Sequence, residues 1–281
     1  VLKGIHTALV TPFHDAAVDL DTFRALCQRQ VAAGIHGLVP CGTTGETPTL
    51  AADEWAGLIT TAVEVAEGRI PVTAGCGTNA TASTVSNIRQ AKALGADAAL
   101  VVLPYYNKPN AQGHRAHMEA ASAEGLPIVA YHVPGRTGQR VSVELLADLA
   151  SIEGVVAVKE ATGDVHFGSD LVARTTANVL SGDDFTFFPL MCVGATGAIS
   201  VLSNVAPAEC VALYEAAVAG KVEQARALHH ALMPLVDYLF SDSNPVPCKA
   251  AMAALGLCEN RVRLPLSPGG PPPPELLEGI K

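Results

Sequence analysis

The residue with the most specific chemical setting in this 281-residue chain is Lys159, which closes the apolar run Val155-Val156-Ala157-Val158 and leads into Glu160-Ala161-Thr162. Such a run reads as a strand buried on both faces, where an unpaired ammonium is costly. An ordinary lysine, with a pKa of about 10.4, is neutral in only about four molecules per ten thousand at pH 7. Burial raises that fraction, and a free amine can attack a ketone to form an imine. None of the other six lysines has this setting, so Lys159 is the candidate Schiff-base nucleophile. Taken alone, the segment favours a plainer role, a lysine that snorkels to water or pairs with a carboxylate. Other motifs must shift that balance.

Further polar residues collect just after apolar runs: Cys41-Gly42-Thr43-Thr44-Gly45-Glu46, Pro104-Tyr105-Tyr106-Asn107, Tyr131-His132-Val133-Pro134-Gly135-Arg136-Thr137 and Gly182-Asp183-Asp184. Three of the five tyrosines are in this set, and a tyrosine hydroxyl both donates and accepts a proton, as imine chemistry requires. Each motif also has a plain reading. The 42–46 segment fits a turn whose amides cradle an anion, and without a GK[ST] ending it is no nucleotide loop. The tyrosines fit rim packing, and Arg136 fits a solvated loop charge. Cys41 reads as a small buried apolar residue. His114 and His117 share a helix face without a third ligand at metal spacing, and are expected to face solvent.

These residues need a scaffold, and the chain supplies a repeating one. Gly34, Gly68, Gly95, Gly125 and Gly154 each end a helix-like stretch and precede an apolar run, at intervals of 34, 27, 30 and 29 residues. Glycine suits the left-handed position past a helix, so each marks a helix stop followed by a strand. The strands are expected at 38–39, 70–72, 98–103, 128–131 and 155–158, with three more at 5–10, 178–181 and 197–201. Phe23, Leu26, Cys27 and Val31 share one helix face, as do Val85, Ile88 and Ala91; Asp19 or Asp21, and Asn79 or Thr81, can cap the two helices. Eight apolar strands alternating with helices predict an α/β fold, a (β/α)8 barrel over residues 1–206 with its chemistry at the C-terminal strand ends. An open doubly wound sheet is the runner-up. Segments 207–219, 221–240 and 244–256 read as consecutive helices, so residues 207–281 form a helical extension ending in the extended run Pro271 to Pro274.

Composition narrows the function. The formal charge of -9 disfavours nucleic acid or an anionic membrane as partner. No apolar run approaches a bilayer span, and the opening Val1-Leu2-Lys3-Gly4-Ile5 is too short and mixed for a signal peptide. Seven scattered cysteines without CxxC spacing read as reduced thiols in a cytoplasmic protein.

Taken together, the motifs resemble the pyruvate-dependent class I aldolases, the superfamily of dihydrodipicolinate synthases and N-acetylneuraminate lyases, from the first strand to about residue 256. Gly42-Thr43-Thr44-Gly45-Glu46 and the strand-six lysine are marks of the superfamily. Tyr131-x-Val-Pro-x-Arg136-Thr137, Lys159-Glu160-Ala161-Thr162-Gly163, Ser181-Gly182-Asp183-Asp184, Ile199-Ser200-Val201 and Asn244-Pro245-Val246-Pro247-x-Lys249 are closer to its synthase branch. The resemblance implies that Lys159 forms an imine with pyruvate, that Tyr131 shuttles protons there, and that Thr43 and Tyr106 complete a hydroxyl relay, Tyr106 in the neighbouring subunit's site. It implies that Thr44 holds the pyruvate carboxylate, that Gly182 and Ile199 contribute backbone groups, and that Arg136 binds the carboxylate of aspartate semialdehyde. It implies no cofactor, no metal, and a homotetramer built as a dimer of dimers.

The chain departs from the pattern in places. His132 stands where asparagine is usual and, by strand alternation, points away from Tyr131 into packing. Many relatives are inhibited by lysine in a cleft with an acidic residue; the corresponding positions are Ser83, Ala52 and Trp55, which implies weak or absent feedback. Two alternatives remain: a sialic-acid lyase or keto-sugar-acid aldolase or dehydratase of the same superfamily, against which Arg136 argues, and a non-catalytic barrel that binds a small acid.

Overall fold

The computed structural model describes residues 2–280. Eight strands run parallel in one sheet: β1 (Gly4–Ala8), β2 (Gly37–Val39), β3 (Thr73–Gly75), β4 (Ala98–Val102), β5 (Ile128–His132), β6 (Val155–Glu160), β7 (Asn178–Ser181) and β8 (Gly197–Ser200). Each pairs with its neighbour in sequence, and β8 returns to β1 through Gly4 opposite Gly197. The ring closes between β2 and β3 through the Leu38–Val72 bridge and the bond from Leu38 N to Pro71 O, 3.0 Å. That closure excludes the open doubly wound sheet. The third strand begins at Thr73, just beyond the expected 70–72, because Pro71 has no N–H to give to a ladder.

The connecting helices are α1 (Leu20–Ala32), α2 (Ala52–Ala66), α3 (Thr81–Ala93), α4 (Ala111–Ser122), α5 (Val143–Ala150), α6 (Val165–Arg174) and α7 (Asp184–Cys192), followed by α8 (Pro207–Val218), α9 (Val222–Leu239) and α10 (Val246–Ala254). The five glycines read as helix stops all have positive φ, between 68° and 90°. Asp19 caps α1 by accepting from Thr22 N at 2.9 Å. Neither Asn79 nor Thr81 caps α3. Its N-cap is Ala80, no side chain caps the helix, and the Ala80 N–H donates to Thr78 Oγ1 at 3.1 Å. α8 packs against β1 and α7, α9 against α8, and α10 against α9.

Strand alternation sorts the apolar residues into two cores. Ala8, Val39, Leu100, Val129, Ala157 and Leu180 fill the inside of the barrel together with Tyr131 and Ile199. The opposite faces, such as Leu38, Val101, Ile128 and Val158, pack outward against the helices. Because the period is two, Lys159 shares the inward face with Ala157, and Glu160 shares the outward face with Val158.

Candidate active site

Lys159 is one residue from the C-terminal end of β6, opposite Tyr131 on β5 and Leu180 on β7. Lys159 and Tyr131 are each only 5 % exposed, so the amine is withdrawn from bulk water. Its Nζ lies 4.2 Å from the centre of the Tyr131 ring. Among the described residues no carboxylate pairs with it. Gly182, just past β7, lets the chain approach: a Cβ there would stand 3.0 Å from Lys159 Cε and 2.6 Å from Ala161 Cβ.

A cavity of about 490 Å³ opens beside this pair, lined by Thr43, Tyr105, Tyr131 and Arg136 among others. The 42–46 segment forms a tight turn in which Gly45 N bonds Gly42 O at 3.1 Å and Glu46 N bonds Thr43 O at 3.0 Å. Thr11 Oγ1 donates to Gly45 O at 2.7 Å, and a Cβ on Gly45 would meet Cys41 N at 3.1 Å. Thr44 is buried, and its hydroxyl oxygen accepts from Asn244 Nδ2 at 2.8 Å, which leaves the hydroxyl hydrogen to donate. Arg136 sits on the one-turn helix Pro134–Thr137, and its Nη2 donates to the carbonyl of the same Asn244 at 3.1 Å. Asn244 therefore ties the two expected anion-binding groups together. The sequence showed it only as part of a Pro-rich motif.

Glu46 belongs to the anchor of this turn. Its Oε1 accepts from Lys249 Nζ at 2.5 Å and its Oε2 from Arg263 N at 2.9 Å, with both side chains of the pair buried. Lys249 also donates to Arg261 O at 2.7 Å and lies 4.1 Å from the centre of the Phe13 ring. Burial lowers the Lys249 pKa from its ordinary value, and Glu46 opposes that shift.

The other expected residues divide. Ile199 packs its side chain inside the barrel. Tyr106 is not brought to the cavity of its own chain; it has φ 71° and is 88 % exposed. His132 is fully buried against Phe167, ring centres 5.7 Å apart, and burial lowers its pKa to about 4. Cys41 is buried, and burial raises its pKa well above the ordinary thiol value, as expected of a packing residue. His114 and His117 do not face solvent. Both are buried, with His117 Nδ1 2.9 Å from Thr81 Oγ1 and His114 Nε2 3.1 Å from Gln139 Oε1, because α4 turns this face toward α3 and the segment after β5. Of the lysine-cleft positions, Ala52 and Trp55 line the cavity, with Trp55 Nε1 donating to Gly75 O at 3.0 Å, and Ser83 is exposed on α3. No three His, Cys, Asp or Glu side chains converge as a metal site among the described residues. No helix among them is long and apolar enough to cross a membrane.

Known proteins resemble this chain in sequence and fold over nearly its whole length. A 4-hydroxy-tetrahydrodipicolinate synthase from Pelobacter propionicus is 45% identical over 273 residues, covering 96% of this chain and 94% of its own. The crystal structure of a dihydrodipicolinate synthase from Thermotoga maritima superposes with a TM-score of 0.93 at 41% identity, covering 98% of this chain and 95% of that one. A structure described as the first monomeric dihydrodipicolinate synthase variant matches equally well, TM-score 0.93 and 41% identity, covering 98% and 93% of the two chains. The Dihydrodipicolinate synthetase family matches residues 1–270, and this chain belongs to that family.

Proposed function

We propose that this chain condenses pyruvate with L-aspartate 4-semialdehyde to 4-hydroxy-tetrahydrodipicolinate, a step of lysine and diaminopimelate biosynthesis, through a Schiff base on Lys159. The observation that carries the assignment of the nucleophile is a buried amine, without a carboxylate partner among the described residues, over the tyrosine that lines the cavity. The amine adds to C2 of pyruvate and water leaves, giving an imine. The imine withdraws electrons, so the methyl loses a proton and becomes an enamine carbon that adds to the aldehyde. The new amine then attacks the imine carbon, the bond to Lys159 breaks, and the ring closes. Each step moves a proton, which we assign to the hydroxyls of Tyr131, Thr43 and Tyr106. Thr44 holds the pyruvate carboxylate, and the backbone of Gly182 and Ile199 borders the pocket. Arg136 takes the carboxylate of the semialdehyde, since a planar guanidinium matches it in a bidentate way.

Arg136 on the cavity wall also favours this reading over a sialic-acid lyase or sugar-acid aldolase, whose polyhydroxylated substrates call for neutral groups. A coupled assay comparing aspartate semialdehyde with N-acetylneuraminate tests it. Turnover of the first alone is expected, with a borohydride-reduced pyruvate adduct on Lys159; turnover of the second alone would replace the reading. We further assign residues 1–206 to the catalytic barrel and 207–281 to a packed extension, which the reach of Lys249 to Glu46 supports. We assign a cytoplasmic homotetramer in which Tyr106 serves the neighbouring subunit's site; its exposed ring supports that role.

A further inference from the structure

The residues assigned to the two substrate carboxylates, Thr44 and Arg136, lie on barrel loops, but the group that joins them does not. Asn244 belongs to the C-terminal extension, just before α10. It is set back from the cavity, whose wall here is formed by Gly42, Thr43 and Arg136, so it can act on a ligand only through its neighbours. Its two contacts come from different parts of the residue. The side-chain Nδ2 donates to Thr44 Oγ1 at 2.8 Å, and the main-chain carbonyl accepts from Arg136 Nη2 at 3.1 Å.

A threonine hydroxyl has one hydrogen and two lone pairs. An acceptor facing it would take the hydrogen, whereas a donor occupies a lone pair and leaves the hydrogen for a ligand. Nδ2 is such a donor. The Oδ1 of the same amide is buried without a hydrogen-bond partner among the described residues, a costly arrangement that stability alone does not favour. The segment is also held independently of the amide. Lys249 Nζ donates to Glu46 Oε1 at 2.5 Å in a buried ion pair, Lys249 N to Pro245 O at 2.9 Å, and Val246 N to Ser243 O at 2.8 Å. Residues 243–249 thus grip the 42–46 turn at Thr44 and again at Glu46, and the second grip does not need a side chain at position 244.

We propose that Asn244 is a positioning residue: by donating to Thr44 Oγ1 it directs the hydroxyl hydrogen to the pyruvate carboxylate, so that the extension completes the acid-binding half of the site. The inference rests on the role assigned to Thr44 in the proposed function. It separates the two substrates, because the amide serves Thr44 while Arg136 is met by a main-chain carbonyl that any residue at position 244 retains.

The test compares the full chain with Asn244→Leu, which removes the amide at similar size, and Asn244→Asp, which keeps its shape but can only accept when ionised. The first readout is borohydride trapping on Lys159 as a function of pyruvate concentration, which needs no aldehyde. Asn244→Leu should raise the half-saturating pyruvate concentration roughly 3- to 10-fold, and Asn244→Asp, whose carboxylate takes the Thr44 hydrogen, roughly 10- to 100-fold. Both variants should still be trapped at saturating pyruvate. In turnover, KM for pyruvate should rise by the same factors while KM for aspartate semialdehyde stays that of the unaltered protein. In a Thr44→Val background, with no hydroxyl to orient, Asn244→Leu should have no further effect. Asn244→Asp no worse than Asn244→Leu, a further rise in the Thr44→Val background, or both KM values rising together would overturn the assignment. So would variants that pyruvate cannot load at any concentration, since the amide would then support the fold. If the unaltered protein forms no adduct, the proposed function falls and this inference with it. If it forms the adduct but ignores aspartate semialdehyde, only the second substrate is corrected, and the pyruvate measurements still decide the role of Asn244.

Discussion

Two lysines are buried in this molecule, and they are buried for opposite reasons. Lys249 is the more enclosed, yet its ammonium is matched by Glu46, the Arg261 carbonyl and the face of Phe13. Its hydrogens are directed at a fixed carboxylate, carbonyl and ring, while burial pulls its pKa below the ordinary value and Glu46 opposes that shift. Lys159 has a tyrosine ring and apolar neighbours but, among the described residues, no carboxylate in contact. Burial without a matching anion, beside a cavity, is the setting on which our proposal of Lys159 as nucleophile rests. The first arrangement clamps the C-terminal extension to the 42–46 turn, and the second is the one that our proposed chemistry uses.

Replacing each lysine by methionine should therefore produce opposite losses. Lys159→Met should lower turnover by roughly 10⁴-fold or more and abolish the pyruvate adduct, while urea denaturation shows stability unchanged or improved. Substantial turnover would break the contrast. Lys249→Met should leave Glu46 buried without its partner and cost about 3–5 kcal/mol of stability, read by the same denaturation, while the folded fraction still forms the adduct on Lys159. Adding Glu46→Gln should recover part of that loss; no recovery would mean that Lys249 supports the fold by packing rather than charge.

Smaller effects sharpen what surrounds Lys159. Tyr106→Phe should reduce turnover roughly 10- to 100-fold without preventing the adduct; full activity would remove Tyr106 from the proton relay. Glu160, next to Lys159 but facing outward, tests burial without a partner from the acidic side. Burial raises its pKa from 4.5 to about 6, and its Oε2 has no hydrogen-bond partner. The folded state thus binds this proton more tightly than the unfolded chain, so stability is highest below about pH 4.5 and declines as the pH rises toward 6. The decline from this group is about 2 kcal/mol, and Glu160→Gln should flatten it in urea titrations at several pH values. A difference between wild type and variant that does not change with pH would show that Glu160 is neutral or solvated throughout. The smallest expected response is to free lysine. Ala52 and Trp55 on the cavity wall and Ser83 on α3 provide no carboxylate for its ammonium, so sub-millimolar lysine should leave the rate unchanged in a direct inhibition assay.

Much of this was legible in the chain itself. The glycine-punctuated repeat and apolar runs encode strand and helix periods locally, and a closed ring of eight is what such a repeat builds when each strand pairs with the next. The position of Lys159 at the end of one run, and of the threonine, tyrosine and arginine motifs after others, followed from the same local pattern. The uncapped start of α3 at Ala80 was not legible, nor was the burial of His114 and His117, which depends on which way a helix face turns toward its neighbour.

The residues that local pattern could not reveal are those whose role comes from a partner distant in sequence. Lys249 sits in a short helix with no periodic signal, and only folding brings it to Glu46, 203 residues away. Asn244 joins Thr44 across 200 residues and Arg136 across 108. Asp183 and Asp184 are neighbours of the same type, indistinguishable as letters, yet Asp184 is consumed by two backbone amides while Asp183 leaves its helix uncapped and lies beside Gly163. The sequence by itself determined the eight alternating strands and helices, the place of Lys159 and the motifs at the strand ends, because periodicity and strand alternation are local, while closure of the ring through Leu38 and Val72 was left to the structure. Which buried charge is matched and which is left available was decided only by the tertiary structure, because electrostatics acts through space and not along the chain.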